Sequence, residues 1–485
     1  VSLLHSYVKV RARERGRALP RATVRHVHLA EAPMVFVPLR LAGEAAAPLG
    51  AMVGTDPARP KLLVVPQPRN RDLRFQFLAD LGAVLLPYVD RISRQVETVE
   101  AKTPFDRCLD APQIVVPSPG GVEFTAKLGR SSRFRRTTGP YAVDPAVPML
   151  GRWLTFLAEQ SEFAGSSLMV AMTDLLTAHW VTGQSAAEDG DLAALLGWID
   201  PPEGLTGPEA AALADDPLSP PAGPDTHPEF DRQELQKAIE HYDATGSAAQ
   251  VEEALHGQLR PTWDRMWQAI GLLAALKESP GATARWERDR VHVALHRAWI
   301  DGGGLPQGKR DSAVAAAKRL ARLEAAQQSF EATRAFDDPL VMAEYRADGV
   351  AFAGEVVAVD LTRRIVPPGG KREVPRPLVT IETADPVRLA KGKKVRSPSR
   401  PRQSATIADI TETTVTVQID DGMGRGGQPA EGSVPGVGTV ICYTELDPGE
   451  SRRAPLPPRE ETPWTHGGPP PEYVPTDDDA MEPWS

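Results

Sequence analysis

At residue 351 the hydrophobic pattern changes period. Over 147–345 apolar residues recur mostly at helical spacing, whereas "AFAGEVVAVDL", "RPLVTIETA", "SATIADI", "TTVTVQID" and "VGTVICYTEL" alternate apolar with polar residues. Period two sends successive side chains to opposite faces of a strand, so each run has one face to bury. Short strands at this spacing predict a small β-barrel over 346–447, in which closure removes the exposed sheet edges.

The remaining chain exceeds what one core supports: 485 residues predict several domains. Residues 1–145 read as an α/β or β-rich domain. Its strand candidates are "ATVRHVHLA", "PMVFVPLRLAG", "PKLLVVPQP" and a pair around the Pro-Gly-Gly of "APQIVVPSPGGVEFTAKL". A helix in "NRDLRFQFLADLGAVLLPYVDRISRQVE" is expected to stop at Pro87. Residues 146–345 read as helical, including "SLMVAMTDLLTAHWVTG" and a long helix over 310–336, with a proline-rich acidic excursion at 201–231. Residues 448–485 are expected to be a disordered acidic tail rich in proline. The fold class is therefore α+β and multidomain: a strand-rich N-terminal domain, a helical middle, a small C-terminal barrel and a tail.

No run is apolar for the roughly 20 residues of a membrane span, and the basic opening "VSLLHSYVKVRARERGRALP" has no signal-peptide core. Cys108 and Cys442 lie outside any CxxC pair, which indicates neither a zinc site nor a disulfide framework and suits a reducing cytoplasm. Cys108 has Arg107 beside it but no identifiable base, so a buried structural role is expected. His26 and His28 form an HxH pair without a recognisable third ligand, so no metal is assigned. "GGLPQGKR", 303–310, fits GxxxxGK, yet it follows a helix and has Arg310 where a phosphate loop needs Ser or Thr. It is read as a turn between helices. No catalytic residue and no cofactor is assigned. Arg69, Arg71, Asp72 and Arg74 stand close together and are the residues around which an enzymatic alternative would be built.

Two basic segments carry the functional reading. "RLAKGKKVRSPSRPRQSATI" holds seven Lys or Arg between Arg388 and Arg402 without a carboxylate, in a chain of formal net charge -9. Lys391, Lys393, Lys394, Arg396, Arg400 and Arg402 are placed on a flexible loop between barrel strands, where they can track a phosphate backbone. "KLGRSSRFRRTTG" adds Lys127, Arg130, Arg133, Arg135 and Arg136, with Phe134 available to stack on a base. The net negative charge does not oppose this, because binding follows the local field.

The order "GEVVAVD", "RPLVTIETADPVRLAKGKKV", "ATIADITETTVTVQI" resembles the small β-barrel, or stalk-associated domain, inserted in superfamily 1 helicases. In that family the barrel helps to contact nucleic acid. The motor motifs do not accompany it here, so helicase activity is not implied. The closing "TDDDAMEPWS" resembles the acidic tips by which bacterial single-strand-binding proteins dock their partners. The expectation is a cytoplasmic, non-catalytic subunit that binds nucleic acid, DNA rather than RNA, beside a separate ATPase, helicase or nuclease in genome maintenance or phage defence. The alternatives are a protein scaffold without nucleic acid, and an enzyme with a dispersed N-terminal site. No membrane role is expected.

Overall fold

The computed structural model describes residues 3–44, 47–214, 223–366, 369, 372–424, 428–449 and 474. They form two compact units, one of residues 9–20, 24–326 and 474, the other of residues 3–8, 21–23 and 327–449.

The larger unit is organised around strand β1, Met34–Arg40. Met34 and Phe36 point into one apolar cluster, and Val35, Val37 and Leu39 into another. A strand buried on both faces reads as a continuous apolar run, as "MVFVPL" does. β2, Pro48–Gly54, lies antiparallel to β1, and β3, Lys61–Val64, antiparallel to β2. Helix α1, Arg71–Ser93, and the hairpin β4–β5, Val96–Val99 with Phe105–Cys108, come next. β6, Ile114–Val116, then pairs parallel to β1. After α2, Pro119–Ser132, and α3, Ala146–Gln160, strand β7, Met169–Ala171, pairs parallel to β6. The sheet order is β3-β2-β1-β6-β7.

Helices α1, α2, α3 and, later in the chain, α7, Pro280–Asp301, supply Leu78, Phe124, Trp153 and Val293 to the first cluster. The second cluster takes Leu176, Leu195 and Trp263 from α4, Met172–His179, α5, Leu192–Ile199, and α6, Ala249–Ala274. The result is three layers, helices on both faces of a mixed sheet. Since β1 and β3 both oppose β2, the strands β1, β3, β6 and β7 run the same way. The first turns of α1, α2 and α4, which follow β3, β6 and β7, consequently start from one edge of the sheet.

Several expectations change. Residue 145 is no boundary: β7 completes the sheet from beyond it and the later helices cover both faces. Helix α1 passes through Pro87 instead of stopping there, with Leu85, Tyr88 and Val89 buried on either side of it. The Pro-Gly-Gly segment is the first turn of α2, with proline at the helix start, where its missing N–H has no partner to lose. "ATVRHVHLA" forms no strand beyond an isolated bridge from Arg25 to Glu278. "SLMVAMTDLLTAHWVTG" divides into β7, α4 and a two-residue strand, because the buried run "MVA" is too short for periodicity to separate strand from helix. The excursion contains helix Gly207–Ala214, and the expected helix 310–336 is Ala313–Asp337.

In the smaller unit all five expected runs are strands: β8 Ala351–Asp360, β9 Leu378–Glu382, β11 Arg400–Ile410, β12 Thr414–Ile419 and β13 Val440–Thr444. A sixth, β10, Lys394–Ser397, forms within the stretch expected as a flexible basic loop. The barrel closes in the order β8-β9-β12-β11-β10-β13. Phe352, Val379, Ile381, Val395, Ile407, Val417 and Tyr443 fill its interior. Glu355 pairs with both Val440 and Glu382, so β8 changes partner there. A Cβ on the neighbouring Gly354 would lie 1.8 Å from the Glu382 carbonyl oxygen, which makes glycine necessary at this corner. The expected tail, apart from 448, 449 and 474, lies outside the described residues.

Helices α2 and α3 meet backbone to backbone. A Cβ at Gly129 would stand 2.7 Å from the Thr155 nitrogen, and one at Gly151 2.4 Å from the Arg133 nitrogen. Although alanine is the better helix former, Gly151→Ala is expected to lower stability by about 1–3 kcal/mol through overpacking. A fall in the urea midpoint with an unchanged slope is the expected reading; an unchanged midpoint would show that the contact yields.

Candidate nucleic-acid interface

The start of α1 gathers cations that are far apart in the sequence. Asn70 caps the helix, its Oδ1 accepting from the amides of Asp72 at 2.9 Å and Leu73 at 3.2 Å, and so sets Arg69 and Arg71 around the first turn. Arg71 lies over the Phe75 ring, 4.6 Å from its centroid and one helical turn away. Arg135, from the segment after α2, approaches the same ring at 5.1 Å. The Arg71 guanidinium also donates to the Tyr141 carbonyl at 3.0 Å and stands 5.6 Å from the Tyr141 ring, which is 76% exposed. Arg136 is exposed, and its carbonyl accepts from the Val143 amide at 3.0 Å, bending 136–143 back.

Arg69, 78% exposed, completes the group. Its nearest acid is Glu44, at 3.5 Å, while Asp72 pairs with Arg71 at 2.8 Å. Exposed ion pairs contribute only about 0–1 kcal/mol, so a phosphate can replace Asp72, whereas Glu44 also pairs with the buried Arg74 at 3.4 Å and is held in place. The ring fixes the plane of both guanidinium groups; Arg71 donates to Asp72 and the Tyr141 carbonyl, and the half-buried Arg135 donates through Nε to the Ser131 carbonyl at 2.8 Å.

Not all of the expected residues join this surface. Lys127 and Arg130 sit on α2, half-buried and exposed respectively. Arg133 does not: it is 3% exposed, with its Nε donating to the Gln307 carbonyl at 2.7 Å and Nη2 to that of Gly308 at 3.3 Å. Its role is to tie α2 to the glycine-rich turn. That turn presents carbonyls to arginines, Gly304 to Arg152 included, which is the opposite of a phosphate-binding array of amides. Arg74 is buried and bonds the Pro68 carbonyl. Phe134 is half-buried beside Arg133.

On the barrel the expected basic residues are largely engaged. Because Val395 points inward, Lys394 and Arg396 point outward. Lys391 pairs with Asp409, Lys393 with Glu445 at 2.5 Å, and Arg396 with Asp447 at 3.0 Å. Arg400 donates to the carbonyls of Ser433 and Gly432, each at 2.9 Å. Lys394 and Arg402 are exposed and make no ion pair among the described residues. Over 351–447 thirteen Lys or Arg stand against twelve Asp or Glu, so the barrel carries no large basic field.

The histidines and the cysteine considered for chemistry are engaged within the fold. Burial pushes the Cys108 thiol up to about 11, far from a thiolate at neutral pH. His26 and His28 do not converge. The His26 amide donates to His179 Nε2 at 3.0 Å, whereas His28 stacks on Trp286 and bonds Glu278 through Nδ1. No group of three or more His, Cys, Asp or Glu among the described residues could hold a metal ion. A cleft of about 660 Å³ lies between the β4–β5 hairpin and α7. It opens at the far end of α1 from Arg69–Arg74, and Val96, Phe105, Leu295, Arg94 and Asp301 are among its lining. No helix among the described residues is long and apolar enough to cross a membrane. Compared with protein-family models, curated proteins and solved structures, the chain matches none.

Tyr141 and Phe75 carry the patch and were not singled out by sequence. The signal available was local: "TTGPYA" sets an aromatic directly after the basic run and next to turn residues. Arg69 and Arg71 were visible, but as candidates for a different chemistry.

One buried carboxyl gives a pH test of the layer beneath. Burial raises Asp289 to about 7, against hydrogen bonds from the Ser167 amide at 2.7 Å and the Ser166 hydroxyl at 3.1 Å. A carboxyl raised on folding contributes stability that is complete below its unfolded value near 4 and is lost as pH rises through about 7. Between pH 5 and 8 the melting temperature of the wild type is therefore expected to lose ground to that of Asp289→Asn. A constant difference would show that Asp289 ionises normally.

Proposed function

We propose that the chain is a non-catalytic nucleic-acid-binding subunit, acting beside a separate ATPase, helicase or nuclease, and that its principal contact is the patch of Arg69, Arg71, Arg135, Arg136 and Tyr141. The observation that carries this reading is the convergence of Arg71 and Arg135, 64 positions apart in the chain, on one phenylalanine ring beside an exposed tyrosine. Cations spaced around an exposed aromatic suit a single strand, whose phosphates take the guanidinium edges and whose bases stack on the ring. The barrel has a secondary place: the likeness of 351–445 to the helicase stalk barrel supports it, and Lys394 and Arg402 are its available cations. DNA is the expected polymer.

Fluorescence anisotropy with labelled single- and double-stranded DNA and RNA tests the proposal. Four phosphate contacts to a single strand predict a loss of about 50-fold in affinity between 50 and 200 mM salt. Alanine at Arg69, Arg71, Arg135 and Arg136 is expected to weaken binding at least tenfold and flatten that dependence, and Tyr141→Ala to cost about 1–3 kcal/mol. Alanine at Lys391, Lys393, Lys394 and Arg396 is expected to have the smaller effect. Absence of binding to all four polymers, or full binding by the arginine variant with its melting temperature intact, would refute the assignment.

A further inference from the structure

In open α/β sheets the crevice beyond the carboxyl ends of the parallel strands, where the strand order reverses, is the usual place for a ligand. Here that point lies between β1, from which the chain turns outward to β2 and β3, and β6, which returns on the other side. Arg40 ends β1, and Ser118 follows β6 and opens α2.

The chain itself occupies this crevice. Residues 223–226 run beside the end of β1 as a parallel bridge: the Arg40 amide donates to the Pro224 carbonyl at 2.7 Å, and the Thr226 amide to the Arg40 carbonyl at 3.2 Å. Across the gap the Ser118 hydroxyl donates to the Gly223 carbonyl at 3.1 Å. Asp225 meets the Arg40 guanidinium in forked geometry, Oδ1 at 2.8 Å from Nε and Oδ2 at 2.7 Å from Nη2. The Arg40 side chain is 13% exposed, its guanidinium 5.7 Å from the ring centre of the buried Phe124, while Asp225 is 47% exposed. The cation thus belongs to the floor of the crevice and the anion to a strap lying over it. Forked pairing of this kind recognises the geometry of carboxylate or phosphate. Thr173, also at this edge, hydrogen-bonds the Pro117 carbonyl through its amide, and its buried hydroxyl has no partner among the described residues.

We propose that the crevice between the ends of β1 and β6 is a binding site for an oxyanion-bearing ligand, and that residues 223–226 close it by placing the Asp225 carboxylate on Arg40 where the ligand's oxyanion binds. This site is separate from the nucleic-acid patch and does not rest on that reading. The strap and ligand exclude one another, so the affinity observed is the intrinsic affinity multiplied by the fraction of molecules whose strap is open.

Two substitutions open the site by different routes. Asp225→Ala removes the internal anion. Gly120→Ala leaves Arg40 and Asp225 intact, but its new Cβ would lie 2.7 Å from Pro224 Cδ and so lifts the strap from the first turn of α2. Inorganic phosphate and acetate are titrated against the full chain by calorimetry, with each opened variant also combined with Arg40→Gln. Both opened variants are expected to bind one of the two ions at least tenfold more tightly than the wild type, and Arg40→Gln to abolish the gain. The ion that gains identifies the ligand's group as phosphate or carboxylate. A gain confined to Asp225→Ala would mark simple replacement of the deleted carboxylate and overturn the proposal, as would no gain in either variant or a gain that survives the loss of Arg40. Should Asp225→Ala fail to fold, Gly120→Ala and Asp225→Asn carry the same test.

Discussion

Strand β1 is buried on both faces, and the rest of the larger unit follows from that constraint. Phe36 and Val35 are both fully inaccessible, yet they point into opposite clusters. A strand of this kind cannot sit in a sheet with one wet face, so helices must cover both sides. Parallel neighbours need long crossovers, and α1 together with α2 and α3 provide them while burying Leu78, Phe124 and Trp153. The arrangement of helix ends at one sheet edge is a consequence of this geometry and needs no functional explanation. What that edge carries does.

How much of this could be read from the chain depended on whether the determining contact was local. Barrel strands declared themselves because Val379 and Ile381, or Val415, Val417 and Ile419, alternate with polar residues along one segment. β6 was legible too, as the apolar "IVV" set between prolines, whereas β7, three residues buried on every side, has no alternation and tertiary pairing alone makes it a strand. Pro87 was expected to end α1 on propensity, but burial of Leu85, Tyr88 and Val89 around it outweighs the loss of one helical hydrogen bond. Likewise Pro-Gly-Gly carries the same local preference for a turn and for a helix start, and packing against β6 selects the second: a Cβ on Gly121 would stand 3.0 Å from Val116 Cβ.

The candidate sites were legible as charges, not as an arrangement. The stretch Arg388–Arg402 looked uncompensated because its acids, Asp409, Glu445 and Asp447, belong to other parts of the barrel and come beside it only on closure. Conversely, Arg71 and Arg135 looked unrelated, and Phe75 unites them. Arg133, indistinguishable from its neighbours in the sequence, is withdrawn to hold two carbonyls. Position in a basic run therefore says little about availability to a ligand.

A common electrostatic logic links the arginine patch to the strap. The first turns of α1 and α2 begin at the same sheet edge, and helix N-termini favour negative charge. At each the chain supplies its own: Glu44 and Asp72 beside Arg69 and Arg71, Asp225 on Arg40. These internal anions differ in how readily they yield. Pairs on exposed side chains are screened and weak, so the Asp72 carboxylate is held to Arg71 far less firmly than Asp225 is to Arg40. Arg40 is largely withdrawn from water and meets Asp225 in forked geometry, with Glu123 also acting on it, and breaking an enclosed pair costs more than separating an exposed one. The exposed patch is thus suited to a repeating polyanion met along its length, and the enclosed arginine to one defined group.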